Sequence, residues 1–496
     1  MKLNRQIYLN KVKGCFVGKN IGGTMGGPYE GTRELLDVKG FKTQKGEPLP
    51  NDDLDLQLVW LQALEDQGPK HIDSEMLGEY WLSFITPYWN EYGISKTNMQ
   101  RGIPPSISGD MDNNIWKHSN GAWIRTEIWA CLAPGAVDTA VKYAIEDALV
   151  DHGTGEGTAA TCFVAALESA AFVVNDVNTL IDIGLSKVDK SSRLHKTLEL
   201  VRELHSKGVD YKEVRNRVVE LNKDIGDGWF QAPNNVAFVV IGLLYGQGDF
   251  KKSMLTAINC GDDTDCTAAT VGSILGIMHG EDKIPADWKE YIGDRIITCS
   301  INRGVSFRFS ATITDLVNRI AKQTQYLLNS NFEKIEITDG ESEIDDEFIA
   351  HLNREFALDD ERDDIRALKY SLKPNTFKTR LGAMTAIISF DDGNLVKTGE
   401  KKHLTVMVTN NIKAFGNQGY EIRVELLPHP NYVCDDCSKE IYAPCWTPMT
   451  KFAYSEETHF ELEAKHSKDS IDTLLMKFVI PTRGKEFYVP LKFVRR

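Results

Sequence analysis

Small and apolar residues recur at helical spacing through residues 1 to about 325. The clearest stretches are 136–149, 158–174, 235–244 and 267–278, and each predicts a largely buried helix. Gly272-x-x-x-Gly276 and the alanine pairs at 159–160, 165–166 and 268–269 leave room for close helix approach. Packing accounts for these small residues. Loops rich in glycine and proline separate the stretches, so this part of the chain reads as all-α.

From about residue 377 the period shortens to two. Residues 404–408, 422–426 and 460–464 alternate apolar with polar, and 474–480 and 487–494 read as further strands. Turn signals stand between them at Asp391-Asp392-Gly393 and Asn410-Asn411. Several short strands at this spacing predict a β-sandwich of immunoglobulin-like type. Between the two regions, residues 333–361 are acidic and poor in core residues, with GESEIDDE and DDERDD at their heart. They read as a solvated linker with short helices. The expected organisation is a helical domain over 1–325, an acidic linker over 326–376 and a β-sandwich accessory domain over 377–496.

Composition adds limits. The chain has 496 residues, and a prior of roughly 150 per domain suggests two or three units. A net charge of -14 repels polyanions and no basic patch stands out, so general nucleic-acid binding is not expected. The opening residues lack the apolar run of a signal peptide, and no stretch approaches the ~20 apolar residues of a membrane span. Nine cysteines, mostly in apolar helical stretches, read as reduced thiols of a cytoplasmic protein. Cys434-Asp-Asp-Cys437 has only Cys445 and scattered histidines near it, too little for a zinc site.

Three constellations carry chemistry. The run from Gly22 to Gly31 holds five glycines and Glu30; it reads as a tight loop that delivers one carboxylate, because it lacks the Lys-Ser/Thr of a phosphate loop. Asn51-Asp52-Asp53 precedes an apolar helix over 54–64, where the acids can serve as cap and dipole partners or point elsewhere. Cys260-Gly-Asp-Asp263-Thr-Asp265-Cys266 crowds three acids into four residues before a small-residue helix. Buried carboxylates must shift their pKa or find cations, and hard oxygen donors suit Mg²⁺, Mn²⁺ or Ca²⁺.

In order and spacing these three elements resemble the ADP-ribosylglycohydrolase family, which includes the dinitrogenase-reductase-activating glycohydrolases. Gly14 to Gly18 through Pro28-Tyr-Glu30 is similar to the family's opening helix and glutamate loop. Asn51-Asp52-Asp53 stands where the family carries Thr/Ser-Asp-Asp, and Asp263-Thr-Asp265-Cys266 matches its Asp-x-Asp-Thr motif. The resemblance covers roughly residues 10–300. It implies an all-helical fold with two Mg²⁺ or Mn²⁺ ions at the base of a cleft. Asn51, Asp52, Asp53, Asp263, Asp265 and Cys266 become the expected metal positions, and Glu30 the catalytic acid/base. The segment from Ala148 to Glu156 matches one whose histidine lines the substrate cleft, which places His152 and its neighbour Asp151 at the substrate. Gly121-Ala-Trp-Ile-Arg125 looks like the family's Gly-Ala-x-x-Arg segment, so Arg125 or Glu127 is a further candidate, as are Trp229 and Asn234. Asn51 and Cys266 depart from the hydroxyl residues of the family pattern; Cys266 is the poorer Mg²⁺ ligand.

The function this implies is metal-dependent hydrolysis of an ADP-ribosyl or related ribosyl glycosidic bond, on a small-molecule or ADP-ribosylated substrate. Two alternatives stand beside it. One is a hydrolase of another nucleoside-like or pentofuranosyl glycoside, and the other is a catalytically silent metal- and carbohydrate-binding protein. Retention of Glu30 with all four aspartates argues against silence.

Overall fold

The computed structural model describes residues 1–331, 333–356, 368–369, 371–412, 419–445 and 454–496. They fall into two compact units. One comprises residues 1–97 and 111–356, the other residues 98–110 and 357–496.

The first unit is helical, as the periodicity predicts. The four apolar stretches form the helices Val137–Asp151, Glu156–Ala170, Ala232–Gly246 and Thr264–His279, each almost wholly buried. Its organising contact joins Thr264–His279 to the opening helix Arg5–Gly26. Gly14, Gly18, Gly22 and Gly26 repeat every fourth residue, so they line one face of the opening helix. They meet Gly276, Gly272, Ala268 and Thr264 in antiparallel register, backbone against backbone, with no room for a Cβ on any of the four glycines. This corrects the reading of Gly22 to Gly31 as one loop. Gly22–Gly26 lie inside the helix as packing residues, and only the 3₁₀ turn Gly27–Tyr29 and the residues after it carry Glu30 outward.

That register places the C-terminal end of one helix beside the N-terminal end of the other. Thr264 Oγ1 donates to the Gly26 carbonyl at 2.8 Å. Near the far end, the short strand Lys2–Asn4 pairs in parallel with Glu336–Thr338. The acidic segment thus contains this strand and the helix Asp346–Leu352, while DDERDD lies outside the described residues. Among the described residues, no helix is long and apolar enough to cross a membrane.

The second unit holds two five-stranded sheets. The first orders Thr376–Leu381, Met384–Phe390, Lys401–Asn410, Thr458–Ala464 and Tyr432–Val433, all antiparallel. The second orders Leu395–Val396, Lys485–Arg495, Ile471–Ile480, Tyr420–Leu426 and Ser438–Ala443, with only the edge strand Leu395–Val396 parallel to its neighbour. Phe390 of one sheet meets Phe493 of the other edge-on at 5.1 Å, and Tyr432 approaches Phe493 at 5.3 Å, so apolar side chains of both sheets share a core. Ser106 belongs to this unit and donates to the carbonyls of Ser371 and Thr376 at 3.1 and 2.7 Å.

Candidate metal centre and active site

The helix Asp52–Gln67 begins at Asn51, whose Oδ1 accepts from the Asp53 backbone N–H at 2.8 Å. The capping expected of the aspartates is therefore done by Asn51, which leaves both carboxylates free of that task. Asp52 is half-buried and accepts from the Tyr92 hydroxyl at 3.2 Å. Asp53 is buried; Oδ1 accepts from the Cys266 thiol at 3.5 Å, and Oδ2 lies 3.7 Å from Lys19 Nζ.

Asp263 stands at the start of Thr264–His279 without using its side chain as a cap. Asn120 Nδ2 donates to its Oδ2 at 2.7 Å, and its backbone N–H donates to Asn235 Oδ1 at 3.1 Å. Oδ1 of Asp263 and Oδ1 of Asp265 are buried with no hydrogen-bond partner. Such atoms are costly unless something absent from the protein chain satisfies them.

Glu30 joins this group through a backbone bridge. Gly31 N–H donates to the Asp262 carbonyl at 2.9 Å, and Asp262 N–H donates to the Thr32 carbonyl at 2.8 Å. Gly31 takes φ +78°, which a side chain would resist, so the turn after Glu30 needs glycine there. The outcome is two overlapping sets of ligand atoms, Glu30–Asp263–Asp265 and Asp53–Asp265–Cys266, each within 4.8 Å of one another. Asp265 belongs to both. Asp262 goes elsewhere: its carboxylate lies between Arg33 and Arg215 at 3.7 and 3.6 Å.

Electrostatics follow from this crowding. Asp265, then burial and Asp52, push the Glu30 carboxyl up to about 8. Burial, then Asp265, raises Asp52 to about 6. Burial pushes Asp53 and Asp263 well above the usual carboxylate range, and Asp265 adds to it in both. Burial also raises the Cys266 thiol, so it is a hydrogen-bond donor here.

The expected substrate residues divide. His152 is fully buried between Ser119 Oγ, 2.9 Å from Nε2, and Asp151 Oδ1, 2.9 Å from Nδ1. Asp151 receives the Arg125 fork at 2.8 and 3.1 Å, and Arg125 Nε donates to Asp147 at 2.9 Å. Glu127 is fully buried and accepts from Lys19 at 2.7 Å, Gln57 at 2.8 Å and Ser273 at 3.2 Å. Neither Arg125 nor Glu127 exposes its side chain, and both spend their charge on buried ion pairs. Trp229 is half-exposed and tilts against Phe230 at 5.1 Å. Asn234 is buried and accepts from Asn222 at 3.1 Å, while its neighbour Asn235 reaches Asp263.

Four residues around the carboxylates escaped sequence reasoning: Lys19, Tyr92, Asn120 and Asn235. Asn120 adjoins the Gly121-Ala122 segment that drew attention, and Asn235 is one step from Asn234. Lys19 and Tyr92 carry no local signal.

Known proteins resemble this chain along its helical part. The family model described as ADP-ribosylglycohydrolase matches residues 4–326. The ADP-ribosylarginine hydrolase Tri1 of Serratia proteamaculans is 24% identical over 292 residues, spanning 56% of this chain and 74% of its own. An uncharacterized protein of Archaeoglobus fulgidus is 23% identical over 308 residues, 58% of this chain and 92% of its own. A solved structure titled ADP-ribosylglycohydrolase-related protein complex is 18% identical, covering 65% of this chain and 99% of its own at a TM-score of 0.41. With more than half its length matched by the family, its helical core formed and the motif carboxylates drawn together, this chain belongs to the ADP-ribosylglycohydrolase family and is a glycosyl hydrolase.

Proposed function

We propose that this enzyme hydrolyses an ADP-ribosyl or related ribosyl glycosidic bond at a magnesium or manganese centre built on Asp52, Asp53, Asp263 and Asp265, with Glu30 as acid/base. The observation that carries the reading is the convergence of Glu30, Asp263 and Asp265, with buried oxygens of both aspartates left without partners. Hard carboxylate oxygens suit a hard divalent ion, and a cation relieves the mutual repulsion that raises these groups. The two candidate ligand sets share Asp265, which supports a centre for two ions.

When bound, such ions act as Lewis acids toward sugar hydroxyls and offset charge developing in the transition state. The chain's own residues do the rest. Asn120 and Asn235 hold Asp263, and Tyr92 steadies Asp52. Glu30 sits at the exposed edge of the centre, on a turn fixed by the bridge to Asp262, where it can take a proton from the attacking water. His152 and Asp151 form the buried wall behind Ser119-Asn120 and fix the stretch that touches Asp263. Trp229 is the half-exposed aromatic for a base or sugar face.

Similarity to an ADP-ribosylarginine hydrolase makes ADP-ribosyl-arginine the first substrate to test. The purified protein is incubated with ADP-ribosyl-arginine, ADP-ribosyl-serine peptide and simple ribosides, with Mg²⁺ or with chelator. Release of ADP-ribose that chelator stops and Mg²⁺ restores is the expected result. Turnover confined to simple ribosides would shift the substrate class, and no turnover of any of them with Mg²⁺ would overturn the reading.

A further inference from the structure

Arg33 is a cation with unspent donors beside a centre made of acids. It follows Glu30 on the turn that the Asp262 bridge holds. Its side chain is 50% exposed, and Nε lies 3.7 Å from Asp262 Oδ1, beyond hydrogen-bond distance. Asp262 is the acid within ion-pair distance of Arg33 among the described residues, and neither of its carboxylate oxygens has a hydrogen-bond partner. Charge is in excess here as well. Asp262 faces a second guanidinium, that of Arg215, at 3.6 Å. Arg215 is 7% exposed and donates to the carbonyls of Cys260 and Arg33 at 2.8 and 2.7 Å. One carboxylate does not match two fixed cations, so positive charge is left over, and Arg33 is the part of it open to solvent.

The position of this cation says which anion it fits. Its guanidinium lies against Gly228, where a Cβ would meet it. Trp229 comes next, and its carbonyl accepts from Asn235 Nδ2 at 2.9 Å, while Asn235 Oδ1 accepts from the Asp263 N–H at 3.1 Å. Arg33 thus reaches from the Glu30 turn to the Gly228-Trp229 stretch, and both are tied to the carboxylate centre. An ADP-ribosyl group carries its diphosphate between the ribose that is cleaved and the adenosine. With that ribose at the centre and the base at Trp229, the diphosphate comes to Arg33. A guanidinium fork matches phosphate oxygens with paired, charge-assisted hydrogen bonds.

We infer that Arg33 is a specificity-determining residue that binds the diphosphate of the substrate, so that the enzyme takes phosphate-bearing ribosyl compounds over simple ribosides. The inference rests on the hydrolase reading above and narrows its substrate class.

Calorimetry on the intact protein in magnesium tests it by comparing ADP-ribose with adenosine, which lacks the diphosphate. Arg33→Met should weaken ADP-ribose by about tenfold or more and leave adenosine within about twofold. Arg33→Lys keeps the charge without the fork and should fall between Arg33→Met and the parent. Added salt should weaken ADP-ribose in the parent more than in Arg33→Met. In turnover of ADP-ribosyl-arginine, Arg33→Met should raise KM and leave kcat unchanged. Unchanged ADP-ribose affinity in Arg33→Met, or equal losses for ADP-ribose and adenosine, overturns the inference. So does pyrophosphate that binds the parent as tightly as ADP-ribose, which marks a site for free anions. A parent that turns over simple ribosides yet binds ADP-ribose no better than adenosine also overturns it, and leaves the hydrolase reading standing. No turnover of any substrate, with no binding of ADP-ribose, overturns that reading instead.

Discussion

Gly18 and Gly272 press backbone to backbone, so that a Cβ on either would overlap the carbonyl of the other. This contact sits midway along the two helices whose ends present Glu30 and Asp263. Gly18→Ala must push the helices apart, at a cost of about 1–3 kcal/mol or more for overpacking. Because the same contact sets the spacing of the carboxylates, manganese affinity should fall along with the melting temperature. Thermal denaturation and metal titration of the variant check both.

Asp263→Asn should separate stability from function. Burial and Asp265 raise the Asp263 carboxyl, so folding without metal works against the ionisation that this group has in the unfolded chain. Asparagine keeps an oxygen for Asn120 and removes one acid, which should stabilise the metal-free protein by about 1–2 kcal/mol. Hydrolysis should fall by at least about a hundredfold. Melting in chelator at pH 7.5, beside an activity assay, gives both values; a lower melting temperature in chelator would refute the repulsion argument.

Arg125→Met should be among the most damaging substitutions in the helical unit. The guanidinium is fully buried and pairs with both Asp147 and Asp151. Removing it leaves two buried carboxylates uncompensated, a loss of about 3–5 kcal/mol. Urea denaturation measures it. Through Asp151 and His152, the Ser119-Asn120 stretch should loosen as well.

Glu91 should give stability a downward slope with pH. It is 2% exposed, and its Oε2 has no hydrogen-bond partner. Burial, then Asp151, pushes its carboxyl up to about 8 from an ordinary 4.5. Between those values the folded state keeps a proton that the unfolded chain has released, so stability falls as pH rises through this window and levels off above about 8. Glu91→Gln should lack that slope and exceed the parent by about 1–3 kcal/mol at the alkaline end. Chemical denaturation at several pH values from 5 to 9 reads the difference.

Much of the architecture was legible because it is periodic. The four apolar stretches became Val137–Asp151, Glu156–Ala170, Ala232–Gly246 and Thr264–His279, and the alternating stretches became strands such as Lys401–Asn410 and Ile471–Ile480. Ser438–Ala443 escaped notice; it is an edge strand whose residues are mostly at least half-exposed, so no apolar alternation marks it. The glycine run at 22–26 misled for a different reason. Glycine is a poor helix former on its own, yet the close approach of Thr264–His279 rewards its lack of a side chain.

By itself the sequence singled out carboxylates that the fold brings together, Glu30, Asp53, Asp263 and Asp265, because acids crowded at helix starts are expensive without a purpose. It also determined the helical and strand-rich halves, because periodicity is a local property. Only the tertiary structure decided what surrounds each acid. Asn51 rather than an aspartate caps its helix, Asn235 rather than Asn234 holds Asp263, and Lys19 faces Asp53 across a separation of 34 residues. Such partners are chosen by packing between distant segments, which leaves no mark on the local pattern of either one.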